Sequence, residues 1–114
     1  MRLKEIIDAL NLEILNQGDH LDDVVQGGYS GDLLSDVIAS TRKNDLWITI
    51  QTHENIIAVA SLKDLSGIIL AKNSVPLNET LKNAKNESVT LLRSPMTSFE
   101  LVAALSNLGI SGKR

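Results

Sequence analysis

The residues best equipped for chemistry stand together at Gln51-Thr52-His53-Glu54-Asn55. They follow an apolar, β-branched run, Leu46-Trp47-Ile48-Thr49-Ile50, so a strand end would hold them where open α/β sheets bind ligands. His53 has the widest repertoire, because an imidazole donates, accepts or takes up a proton near neutral pH. Its plainer role is local: Thr52 or His53 can cap the helix that follows. His53-Glu54 opens an H-E-x-x-H string, but the fifth residue is Ile57, so the zinc-binding pair is not completed. His20 is the second of two imidazoles and there is no cysteine. A thiolate nucleophile, a disulfide framework and a cysteine-based zinc site are therefore excluded. No spacing suggests a carboxylate metal site, and no serine lies in a nucleophile elbow. The expectation is no metal and no cofactor.

The second candidate stretch is Gly27-Gly28-Tyr29-Ser30-Gly31-Asp32. Its paired glycines could let backbone approach a phosphate, or could supply the positive φ of a turn. Neither G-x-x-x-x-G-K-[ST] nor G-x-G-x-x-G occurs. Asp32 and Asp36 lie one helical turn apart, but an N-cap (Ser30 or Asp32) and a solvated first turn account for them more simply than a catalytic pair. A general base needs a partner to orient it. None is legible, so the chain does not read as an enzyme.

The elements that must position these residues are clearer. Leu46 to Ile50 and Gly67-Ile68-Ile69-Leu70-Ala71 have the pattern of strands covered on both faces. About 15 residues separate them, the length of a parallel crossover and far more than a hairpin uses. The intervening helix, from Asn55 to Leu62, is apolar almost all round and should be largely buried. Leu3, Ile6, Ile7 and Leu10 mark an amphipathic first helix, and Leu12 to Leu15 a short strand. A polar turn, 16–23, leads to an extended Val24-Val25-Gln26. A helix is expected on Leu33 to Ile38, another on Leu77 to Glu87 burying Leu77, Leu81 and Ala84, and a strand on Val89 to Leu92. The last helix opens on a capping box, Thr97 with Glu100, and stops at Gly109, a C′ glycine, before a frayed tail, 111–114. Helix and strand alternate, so the fold class is α/β: a mainly parallel sheet flanked by helices on both faces, one small domain over 1–114.

Composition narrows the function further. The 114 residues are 43% apolar and 22% charged, with three aromatics (Tyr29, Trp47, Phe99) and net charge −3. The pI of about 5.2 and lack of a basic face argue against nucleic acid. No apolar run reaches the roughly 20 residues that span a bilayer. A cytoplasmic protein, bound to neither membrane nor nucleic acid, is the simplest expectation.

Three stretches carry a family likeness. They are Asp22 to Tyr29 (DDVVQGGY), Asp32 to Val37 (DLLSDV), and Asp45 to His53 with Asn55 to Ala60 (DLWITIQTH, NIIAVA). They resemble the small bacterial DRTGG-domain proteins over nearly the whole chain. Asp23 stands where the motif has arginine and Gln26 where it has threonine, so roles of that charge and that hydroxyl are not carried over. The resemblance implies a fold similar to the N-terminal domains of HPr kinase and, more distantly, of Mur ligases, neither of them the catalytic part. It further implies a non-catalytic regulatory or ligand-sensing role, with a nucleotide or other phosphate-bearing metabolite as possible ligand. The residues carried over as candidate ligand-binding positions are Gly27, Gly28, Tyr29, Asp32, Gln51, Thr52 and His53. A homodimer is expected from the small size. The alternative is a protein–protein interaction module without a small ligand, anchored by Trp47 and Tyr29, since aromatics dominate binding hot spots.

Overall fold

A computed structural model describes residues 1–112. Five strands form one sheet: β1 (Glu13–Asn16), β2 (Gly27–Ser30), β3 (Asp45–Thr49), β4 (Gly67–Leu70) and β5 (Leu91–Arg93), in the order β1-β5-β4-β3-β2. The pairs β2/β3, β3/β4 and β4/β5 are parallel, and β1 runs antiparallel to β5 along one edge. Glu13 faces Arg93 across that edge, and the two form a bidentate pair at 3.0 and 3.2 Å.

Side chains on successive strand residues alternate between faces, and the helices divide accordingly. The crossover helices α2 (Leu34–Ser40), α3 (Asn55–Lys63) and α4 (Asn78–Asn86) cover one face. There Val37, Ile56, Ile57, Ala60 and Ala84 pack on Trp47, Ile68, Leu70 and Leu91. The opposite face takes α1 (Leu3–Leu10) and α5 (Ser98–Asn107), where Leu3, Ile6, Leu101 and Leu105 pack on Leu46, Ile48, Ile69 and Leu92. The expected buried crossover, β3-α3-β4, is thus the middle of the sheet, though Leu62 at the end of α3 is exposed.

Several local expectations are corrected. Gly27 to Ser30 is not a bend but the edge strand itself, paired with Asp45 to Ile48. Neither Ser30 nor Asp32 caps α2. Leu33 occupies the N-cap position without a side-chain bond, because the Asp32 carboxylate is held by β3. On α4 the buried positions are Thr80 and Ala84, while Leu77 precedes the first turn and is half-exposed. Trp47 is fully buried and donates through Nε1 to the Gly31 carbonyl, 2.8 Å, so it is a core residue and not a docking anchor. In the tail the Ser111 carbonyl accepts the Gly28 N–H at 3.2 Å, tying that segment to the sheet. Lys113 and Arg114 lie outside the described residues.

The connection 17–26 crosses the amino edge of the sheet from β1 to β2. Its carbonyls at Leu21 and Asp23 accept the first amides of α1, from Lys4 and Leu3. Its start presses against the segment leading into β5, where a Cβ at Gly18 would lie 2.1 Å from the Ser88 carbonyl oxygen. Only glycine fits there. His20 ties the middle of the connection to Asp23 at 2.8 Å and to Asp64, beyond α3, at 3.1 Å. The two carboxylates sit on opposite ring nitrogens, which does not make a convergent metal site.

Candidate functional site

Two regions compete for the role of site, and the expected residues are divided between them. The first is the carboxyl rim of the sheet. Asp32 lies just past β2, and its carboxylate accepts from the Thr49 hydroxyl at 2.7 Å and the Ile50 N–H at 3.0 Å. The Gln51 side chain donates to the Asp32 carbonyl at 3.0 Å. The Thr52 carbonyl accepts from the Leu77 amide and the Thr80 hydroxyl. Further along, the amides of Lys72 and Asn73 donate to the carbonyls of Met96 and Ser94. Each strand-end loop is therefore bonded to its neighbour, and the polar groups that looked ligand-seeking in the sequence satisfy one another. Backbone groups need such partners, and a loop with few polar side chains borrows them from the next.

His53 is exposed, and its Nδ1 accepts the Asn55 N–H at 3.2 Å. Its carbonyl accepts the Ile56 N–H at 3.2 Å. Glu54, not Thr52 or His53, holds the N-cap position of α3 and makes no side-chain cap bond; His53 stands one residue before it and satisfies the first amide of the helix. The rim is also apolar on its outside: Leu33, Val75 and Phe99, one beside each of three strand ends, are 68%, 70% and 85% exposed.

The second region is a cleft of about 490 Å³ between β2 and the C-terminal half of α5. Gly28, Tyr29 and Ser30 form its strand side, with Ile48 of β3 beside them. Val102, Leu105 and Ser106 form its helix side, and residues 109–112 close one end. A Cβ at Gly28 would come within 3.6 Å of the Ile110 side chain, so the missing side chain opens the floor. Gly109, at φ +90°, turns the chain out of α5 so that Ile110 reaches Gly28. Tyr29 borders the cleft by its backbone, because alternation turns its ring to the α2 face, where it packs. Its hydroxyl donates to the Asp36 carboxylate. That acceptor, with partial burial, holds the phenol above its ordinary value of 10.0.

Of the seven expected positions, Gly28 and Tyr29 border this cleft. Asp32, Gln51, Thr52 and His53 belong to the rim network, and Gly27 pairs with Asp45 inside the sheet. Sequence reasoning missed Val102, Ser106 and residues 109–112. The usable signal was a glycine inside a strand, which often marks close approach of another group. Among the described residues no group of three or more His, Asp or Glu is placed to hold a metal ion, and no helix is long and apolar enough to cross a membrane.

The molecule is a small, mainly parallel α/β unit with a bonded rim and a side cleft. The DRTGG domain family matches the chain over residues 5–108, and the chain belongs to that family. No characterised protein matches the sequence significantly. Among solved structures the fold is similar to the CBS and DRTGG domains of the regulatory region of Clostridium perfringens pyrophosphatase, crystallised with its activator diadenosine tetraphosphate. The TM-score is 0.73 at 20% identity, over 91% of this chain and 45% of that one. The chain thus spans less than half the length of that regulatory region.

Proposed function

We propose that this protein is a non-catalytic regulatory domain that senses a small ligand, a nucleotide or another phosphate-bearing metabolite. The observation that carries this reading is the cleft beside Gly28 in a chain of the DRTGG family. Its volume falls in the range of small-molecule sites, roughly 300–1,000 Å³. The regulatory setting of the similar pyrophosphatase domains, with their nucleotide activator, supports it. The similarity to the N-terminal, non-catalytic domain of HPr kinase that the family resemblance implies points the same way. The candidate positions are reordered on this reading: Gly28 and Tyr29 border the ligand, while Asp32, Gln51, Thr52 and His53 brace the strand ends. A homodimer in the cytoplasm is the proposed working form. A thermal-shift screen of nucleotides and phosphorylated metabolites tests the proposal, since a ligand bound only by the folded state raises the melting temperature. No shift at millimolar concentration would remove the ligand.

A second reading is an interaction module without a small ligand. It is favoured by the exposed rim residues Leu33, Val75 and Phe99, which replace Trp47 as candidate anchors. A partner captured by the wild type and by His53→Ala, but lost with Phe99→Ser, would favour it.

A further inference from the structure

We propose that the cleft binds the uncharged, planar end of its ligand, a nucleobase with its sugar, and leaves the phosphates in solvent. This rests on the ligand-sensing reading above and names the part of the ligand that the site recognises.

The first argument is electrostatic. Among the described residues that border the cleft, none is Lys, Arg, His, Asp or Glu. A phosphate enclosed between these walls would lose water without gaining a cation from them. The helix adds to this. Ser106 and Gly109 place the cleft at the C-terminal end of α5, where carbonyls and the helix dipole present partial negative charge. Anions bind at the opposite end of helices. The N-terminus of α5 is in any case taken: the Glu100 N–H donates to the Thr97 hydroxyl at 3.2 Å, and the Glu100 carboxylate accepts the Thr97 N–H.

The second argument is shape and polarity. The floor is a strand flattened by Gly28, and the facing wall is aliphatic, from Val102, Leu105 and Ile110. A flat, weakly polar ring gains from both surfaces. Around these walls stand neutral hydrogen-bonding groups: the hydroxyls of Ser30 and Ser106, and the outer backbone edge of β2 beyond the Gly28 N–H, which the Ser111 carbonyl already takes. A strand edge presents alternating donors and acceptors, the pattern that a base edge also carries. Neutral groups with fixed directions suit a heterocycle, whereas phosphate recognition relies on guanidinium, ammonium or clustered amides.

The test is calorimetric titration of the full chain with adenosine, guanosine, their triphosphates and inorganic tripolyphosphate. A nucleoside and its triphosphate should bind within about tenfold of each other, since charges left in solvent contribute little. Tripolyphosphate should neither bind nor compete. Gly28→Val, whose branched side chain fills the floor, should abolish binding. Val102→Gln, at a half-exposed position whose change leaves the core intact, should weaken it severalfold even if Gly28→Val fails to fold. Binding of tripolyphosphate without nucleosides would overturn this inference and leave the ligand-sensing reading standing, as would nucleoside binding undiminished in Val102→Gln. Silence from every probe would overturn both.

Discussion

The carboxyl rim and the β2–α5 cleft have opposite relations to their own polar groups. At the rim, Asp32 is bonded to Thr49 and Gln51, and the Thr52 carbonyl accepts from Thr80 and Leu77 across the neighbouring loop. In the cleft the edge strand is tied to the tail only where the Gly28 N–H meets the Ser111 carbonyl, and Gly28 offers no side chain to fill the space below α5. The contrast teaches that a concentration of polar residues in a sequence marks a bonding problem before it marks a ligand. At the rim the fold has solved that problem internally. Beside β2 it has left a cleft, the site proposed above for the ligand.

The comparison can be broken or sharpened by substitution, beginning with the residue on which both regions rest. Trp47 is buried whole under α2 and α3, and its indole fixes the Gly31 carbonyl between rim and cleft. Trp47→Ala should cost about 3–5 kcal/mol, as large aromatic deletions do, and denaturant unfolding measures it. Loss of stability below about 1 kcal/mol would mean that the two regions are anchored elsewhere.

Asp32→Ala separates the regions. It strands the buried Thr49 hydroxyl and the Ile50 amide, and an unsatisfied buried group costs about 1–3 kcal/mol. Melting should fall while ligand affinity in the cleft stays within a factor of two or so, judged by additivity for independent sites. Equal loss of both would show that rim and cleft are one site.

Thr97→Ala removes the cap of the helix that walls the cleft, an expected loss of about 1 kcal/mol at neutral pH. The capping partner adds a pH signature. Donation from the Thr97 backbone and hydroxyl holds the Glu100 carboxyl below its ordinary value of 4.5. A depressed carboxyl binds its proton more weakly in the folded state, so its contribution is complete above the unfolded value and fades as pH falls through the folded one. The stability difference between wild type and Thr97→Ala should therefore shrink below pH 4.5. A constant difference down to pH 3 would contradict the box.

The smallest effect is expected at the residue that looked most chemical. His53→Ala deletes one exposed acceptor at the start of α3. It should lower stability by no more than about 1 kcal/mol, the scale of a cap, and leave cleft binding unchanged. A large loss of affinity in this variant would return the site to the rim.

Local signals in the sequence reached a long way. The alternation of apolar runs gave the β3-α3-β4 crossover, and Thr97, Glu100 and Gly109 gave both ends of α5, because capping and turn geometry depend on neighbours a few residues apart. That His53 bonds locally at the start of α3 was legible for the same reason, though Glu54 holds the N-cap position. Leu77 was misplaced because α4 begins at Asn78, which leaves Leu77 at the N-cap position ahead of the buried face. Gly27-Gly28 was misread because paired glycines signal a turn unless a neighbouring strand is known to lie alongside.

What the sequence determined by itself, then, is an aliphatic α/β domain with its helices, its central strands and its family. The tertiary structure decided where the opening lies. Strand order puts β2 on an edge, and the end of α5 is carried across the sheet to meet it. That meeting joins residues from opposite ends of the chain. No local propensity encodes it, because it arises only when the buried faces of all five strands are covered together.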